Sequence, residues 1–211
     1  MVEMIKNIAP NGEVSNLTPK QYKLVRTESF KKWFGDWEND PENSSKVIDE
    51  NGEPLVVYHG SDSKFNVFKE SDYIGTHGET DQIIGMYFTS KKEVAEWYTH
   101  SDKLVKEVFL NIKSPLVSND NKSLKKRLKV STLSKVNEAS KILGYSGVII
   151  IKGFHTLGIQ MLYLAFNSNQ IKLADGTNTD FDEDNEDIRF EDGGEIKPYS
   201  GWKLNYLKWW K

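Results

Sequence analysis

The sequence predicts an α+β domain, and three observations predict it. Short β-branched and aromatic runs recur at 54–60, 85–90, 105–112, 147–151 and 161–166. Helical signals precede them at 18–34 and interrupt them at 91–100 and 122–143. The two kinds do not alternate in the regular strand–helix–strand order of a parallel sheet. With 211 residues the chain has room for one domain plus tails, and a core of ~150 residues buries roughly 70% of its unfolded surface.

In chain order, residues 1–17 read as a flexible leader. Thr18-Pro19 is an N-cap followed by a proline suited to the first helical turn. Thr27 caps a second short helix through Phe30, Trp33 and Phe34, with Gly35 as its stop. KVID (46–49) and PLVVYHG (54–60) flank Glu50-Asn51-Gly52-Glu53, and Asn-Gly supplies the positive φ angles of a type I′ hairpin turn. Residues 61–85 are polar and glycine-punctuated, which predicts a long loop over a site.

GMYFTS (85–90) is a short strand, and Ser90 with Glu93 predicts a capping box for a helix over 91–100. VKEVFLNI (105–112) alternates as a strand, limited by Pro115. KSLKKRLKV (122–130) is a basic helix. A second helix, 132–143, places Leu133, Val136, Ala139 and Leu143 on one face and stops at Gly144. GVIII (147–151) has the composition of a fully buried strand. MLYLAF (161–166) and Gln170-Ile171-Lys172 complete the set. The domain is expected to span 18–175. Residues 176–211 are expected to be a dispensable acidic linker with an aromatic-basic end.

Composition narrows the function. Hydrophobic residues make up 37% of the chain and aromatic residues 12%, which is globular rather than disordered. No run approaches the ~18 apolar residues of a membrane span, and the start shows no signal-peptide pattern. Cysteine is absent, which removes disulfides and thiolate metal sites and fits a cytoplasmic setting. His59, His77, His100 and His155 lack metal-ligand spacing, so no metal is expected. The net charge of −3 is uneven. Residues 180–195 carry nine acids and one base, net −8, so the remainder is about +5. EDNED (183–187) lacks the turn glycine and ligand spacing of a calcium loop. KKRLK (125–129) has no accompanying nucleic-acid motif, and WKLNYLKWWK is too short to anchor in a membrane.

Three segments carry the chemistry: VVYHGS (56–61), GMYFTSKKEVAEWY (85–98) and YLAFNSNQIKLA (163–174). In this order, with Tyr87 and Tyr98 eleven residues apart, they resemble the diphtheria-toxin-type ADP-ribosyltransferases, which include the poly(ADP-ribose) polymerase catalytic domains. FKKWFGDWEND (30–40), KVIDENGEPLVVYHGS (46–61), FLNIKSPL (109–116), GYSGVII (144–150), NSNQIKLAD (167–175) and EDIRFEDGG (186–194) resemble phrases of a subgroup embedded in phage and mobile-element polyvalent proteins.

The resemblance implies a split fold of two packed antiparallel sheets that binds NAD⁺ as substrate. It implies that His59 hydrogen-bonds the nicotinamide ribose or adenosine ribose hydroxyls, and that Gly60 lets the backbone grip the carboxamide. It further implies that Tyr98 stacks on the nicotinamide ring and Tyr87 packs its other side. Ser61 and Ser90 add hydroxyl contacts. His59 and Tyr87 are the expected catalytic pair.

The family's catalytic glutamate falls immediately before Tyr163, where this chain has Leu162. Gln160 is the nearest polar residue on the same strand face, too far along to replace it. Such variants include mono-ADP-ribosyltransferases in which an acidic acceptor completes the apparatus, and inactive binders. The expected activity is transfer of mono-ADP-ribose from NAD⁺ to a protein or nucleic-acid acceptor. The alternatives are an inactive NAD⁺-binding or protein-interaction module and an NAD⁺ glycohydrolase. The phage-like phrases imply modification of host components in the cytoplasm, or association with a virion.

Overall fold

The computed structural model describes residues 7–69, 82–99, 104–154, 158–178 and 181–189, with the backbone alone for 152–154, 158 and 159. Helices α1 (Pro19–Leu24) and α2 (Glu28–Phe34) lead into strand β1 (Val57–Ser61). β2 (Met86–Thr89), α3 (Lys92–Glu96), β3 (Leu104–Leu110) and β4 (Pro115–Ser118) follow. Then come α4 (Asn121–Leu128), α5 (Val136–Ile142), β5 (Gly147–Phe154), β6 (Gly158–Ala165) and β7 (Ile171–Leu173).

The α+β class holds, but the described strands form one seven-stranded sheet in the order β4-β5-β6-β2-β1-β3-β7, not two separate sheets. All neighbours are antiparallel except β4 and β5. The sheet is weakest at its centre. β1 and β2 pair only at Tyr58 and Thr89, whereas β1 and β3 share five paired positions and β2 and β6 share four.

Strand alternation distributes the core over two faces. One face carries Val57, Phe88, Val108, Ile149 and Tyr163, covered by Val47, Phe68 and Ile188 from loops. The opposite face meets the helices. Leu124, Leu128 and Val136 of α4 and α5 pack on Leu116, Val148, Ile150 and Leu164. Phe30, Trp33 and Phe34 of α2 pack on Phe109. Helix α3 lies over β1 between these two groups: a Cβ added at Gly60 would come within 1.9 Å of the Ala95 carbonyl oxygen.

Local signals hold where the partner lies within a turn. Thr18 forms a capping box with Gln21, and Thr27 accepts from the Phe30 amide. Gly35 and Gly144 end their helices at φ 102° and 81°. Other expectations change. Asn51 has no positive φ; Gly52 alone does, at 79°. Asp49 Oδ1 accepts from the Asn51 and Glu53 amides, so an aspartate-anchored turn replaces the type I′ turn. Ser90 does not cap α3, whose N-cap is Lys91. It exchanges bonds with Met161 instead, its Oγ accepting from the Met161 amide at 3.1 Å. α3 stops at Glu96 rather than residue 100. Pro115 opens β4, a strand the sequence did not suggest. The helix expected over 132–143 divides into a 3₁₀ turn, Leu133–Lys135, and α5, with Leu143 61% exposed.

The packed unit also extends beyond 18–175. On the N-terminal side, Ala9 and Leu17 are buried and Ser15 Oγ donates to Glu53. The fully buried Glu53 carboxylate also takes the Arg26 guanidinium at 2.7 Å, and that guanidinium stacks on Tyr22 at 3.5 Å. On the C-terminal side, Phe181 packs edge-on to Phe30 at 4.9 Å, and Ile188 joins the core on the other face. Asn178 ties the Leu173 and Ile188 carbonyls together. The charge of 180–188 masks two buried anchors, so composition alone reads it as a linker. The remaining tail, residues 190–211, and the expected loop from 70 to 81 lie outside the described residues, as do His77, His100 and His155.

Candidate active site

The weak centre of the sheet is where the sequence motifs meet. Continuing the Tyr58–Thr89 register would place His59 opposite Phe88 and Gly60 opposite Tyr87. The ladder stops instead, and the imidazole takes over a main-chain partner: His59 Nδ1 lies 2.8 Å from the Tyr87 carbonyl oxygen. A carbonyl can only accept, so Nδ1 carries the proton and donates. A side-chain bond from β1 to β2 thus stands where the backbone ladder ends.

His59 is enclosed by rings. Phe68 and Phe65 meet it edge-on at 4.9 and 6.0 Å, and Phe88 lies tilted to it at 5.5 Å. Burial lowers its pKa below the ordinary 6.5. The bond to Tyr87 opposes that shift and the nearby Lys106 adds to it. The ring is neutral at pH 7, and Nε2 presents a lone pair.

The sign of the pH dependence follows. A histidine whose folded pKa is depressed contributes full stability above its unfolded value and loses it as pH falls through the folded one. Stability is therefore expected to be flat near pH 7.5 and to decline as pH drops below about 6.5, and this acid-side slope should shrink in His59→Gln. Asp36 and Asp120, with pKa values held below 3.8, titrate in a separate, lower window. Thermal melts across pH measure both slopes, and equal slopes in the two proteins would contradict a buried neutral His59.

Tyr87 leaves the opposite face from His59. Its ring packs beside the α4–α5 core, and its hydroxyl donates to the Ile83 carbonyl at 2.6 Å. Burial raises its pKa, as does Tyr98 to a smaller degree, which places the two tyrosines within electrostatic reach of each other. Tyr87 thus presents a fixed ring, with its hydroxyl already committed. Tyr98 stands just past α3 and is 66% exposed. Gly60 is required by the approach of α3 described above, since any side chain there would strike Ala95. Ser61 Oγ is engaged locally with Ser63. Ser90 lines an open groove with Tyr58, Lys91, Lys92 and Glu93.

Glu107, Tyr58, Thr89, Leu162 and Ile150 stand opposite one another across five strands. Leu162 is half-buried and borders the α4–α5 core. Gln160 does not offer a free polar group in place of the missing acid. It is buried, and its Oε1 accepts from Thr89 Oγ1 at 3.1 Å. Among the described residues, no group of three or more His, Asp or Glu side chains converges on one point. No helix among them is long and apolar enough to cross a membrane.

The family described as ADP-ribosyltransferase in polyvalent proteins matches residues 49–181. The chain belongs to this family. The match runs from the turn before β1 to Phe181, and so includes β1, β2, α3, the Leu162 position and the first of the two anchors beyond Asp175. Members of an ADP-ribosyltransferase family use NAD⁺ as substrate. No curated protein and no solved structure matches the chain.

The sequence reading did not single out Phe65, Phe68 or Lys106. The two phenylalanines sit in a stretch read as loop. Lys106 looked like an ordinary outward residue of an alternating strand. Only the β1–β3 register brings it opposite His59.

Proposed function

We propose that the protein transfers a single ADP-ribose from NAD⁺ to a protein or nucleic-acid acceptor. The observation that carries this reading is the end of the β1/β2 ladder at His59, whose Nδ1 donates to the Tyr87 carbonyl and leaves Nε2 as an acceptor, with the Tyr87 ring fixed on the opposite face. In this reading His59 Nε2 accepts a hydrogen bond from a ribose hydroxyl. The Gly60 backbone grips the carboxamide, and Tyr98 and Tyr87 flank the nicotinamide, whose cationic ring suits aromatic faces. Ser61 and Ser90 border the same seam.

The N-glycosidic bond breaks with its electron pair going to the nicotinamide nitrogen, and neutral nicotinamide leaves. The oxocarbenium-like ribose is then taken by an acceptor nucleophile, which gives up a proton. Polymer growth needs a carboxylate to activate a ribose hydroxyl. Leu162 supplies none, which supports a single transfer and an acceptor that brings its own acid. The same leucine favours a second reading, an inactive module that binds NAD⁺ or a protein partner. With water as acceptor, the chemistry becomes NAD⁺ glycohydrolysis. The setting that fits is the cytoplasm of a bacterial or phage-infected cell, or a virion.

Incubation with adenine-labelled NAD⁺ and bacterial lysate tests the reading. Label on a macromolecule with stoichiometric nicotinamide supports it. Free ADP-ribose alone indicates hydrolysis, and NAD⁺ binding without nicotinamide release indicates the inactive module. Tyr98→Ala tests the site itself. Because Tyr98 is 66% exposed, the variant is expected to melt like the parent. Loss of a stacking ring should weaken NAD⁺ binding about 5- to 150-fold, from ~1–3 kcal/mol per stacked base. Unchanged affinity by calorimetry would remove Tyr98 from the site.

A further inference from the structure

We propose that Lys106 is the cation that receives the pyrophosphate of NAD⁺; this rests on the reading of the β1/β2 seam as the dinucleotide site. Lys106 stands directly opposite His59 in the β1–β3 ladder. Their side chains therefore leave the same face, with Cβ atoms ~4.5–5.5 Å apart. The Lys106 ammonium lies 4.6 Å from the centre of the Phe65 ring, and that ring meets the His59 imidazole at 6.0 Å. Lysine, phenylalanine and histidine thus make one continuous wall.

The charge state of this wall points to an anion. Lys92 and Lys31 are paired with carboxylates, but among the described residues no carboxylate pairs with Lys106. It is half-buried, and burial first, then the positive charge of Arg189, lowers its pKa. Arg189 is exposed and rests against Asp187 at 3.3 Å. A partly desolvated cation with no carboxylate partner is unfavourable until an anion completes it. The chemistry of NAD⁺ puts that anion in the right place. Each of its two riboses joins the pyrophosphate through a single C5′ methylene. Whichever ribose hydroxyl meets His59 Nε2, the diphosphate lies one short step away, within reach of a lysine stem on the adjacent strand.

The test is calorimetry on the full chain with NAD⁺, ADP and nicotinamide as probes, on the parent, Lys106→Met and Lys106→Arg. Methionine keeps an unbranched stem against Phe65 without the charge, and a melt of each variant verifies folding. Lys106→Met is expected to weaken NAD⁺ and ADP about tenfold, the scale of a charge-assisted hydrogen bond at a half-exposed site. It should flatten the salt dependence of both and leave nicotinamide within about twofold. Lys106→Arg should retain most of the affinity. Parent-like NAD⁺ and ADP affinity in folded Lys106→Met would overturn the inference while leaving the seam reading intact. Equal loss for all three probes would also overturn it, by showing a structural role. If NAD⁺ does not bind the parent protein, the seam reading fails first and this inference fails with it.

Discussion

A chain ending at Asp175 is expected to lose its cooperative thermal transition. The cut removes Phe181, which packs against Phe30 at 4.9 Å and Trp33 at 5.4 Å, and Ile188, buried in the core of the other face. It also removes a hydrogen-bonded lacing. The Leu173 amide donates to the Ile188 carbonyl, and the Ile188 amide donates to Asn66 beside the His59 wall. The fully buried Lys172 loses two carbonyl acceptors, Asn185 and Asp187, at 2.6 and 3.0 Å. Deleting one buried phenylalanine side chain costs about 3–5 kcal/mol and one large aliphatic about 2–5. Whole-domain stability is about 5–15 kcal/mol, so the two losses together consume most or all of it. Calorimetric melts of the full chain, the cut chain and Phe181→Ala measure the effect. The single substitution should lower the transition, and the cut should abolish it. A sharp melt of the cut chain within a few degrees of the parent would show that 176–189 only rests on the surface.

Leu162→Glu is expected to raise nicotinamide release from NAD⁺ by about 10²–10³, the scale of one preorganised electrostatic group. Leu162 stands opposite Thr89 on the face shared by Tyr87. A carboxylate there would border the seam, where positive charge develops as nicotinamide departs. The site is half-buried, so the new charge keeps access to water and its desolvation cost stays modest. Leu162→Gln serves as the control of similar shape without charge and should give no comparable gain. Single-turnover nicotinamide release, after a melt and an NAD⁺ titration for each variant, is the measurement. A folded, NAD⁺-binding Leu162→Glu protein with parent-like release would mean that this position does not face the breaking bond, and the inactive-module reading would then stand.

The sequence by itself determined what depends on neighbours three or four residues away. The Thr18 and Thr27 caps, the Gly35 and Gly144 stops and most of the strands follow from side chains whose partners lie within one turn or one pleat. The order and spacing of the His59, Tyr87 and Tyr98 motifs were equally legible, and so was the departure at Leu162. Only the tertiary structure decided the rest, because those choices pair residues far apart in the chain. Ser90 had a good local option as a helix cap and instead bonds Met161, 71 residues away. Phe181 and Ile188 sit in an acidic stretch whose average composition conceals two buried side chains. Where the β1/β2 ladder ends, a side-chain bond from His59 takes the place of a backbone rung, and no periodicity encodes that. The same holds for Lys106, an ordinary outward lysine of an alternating strand until the register of β1 on β3 stands it opposite His59. Local hydrogen bonds are written in spacing, whereas a cross-strand neighbour is set by register, which depends on how the whole core packs.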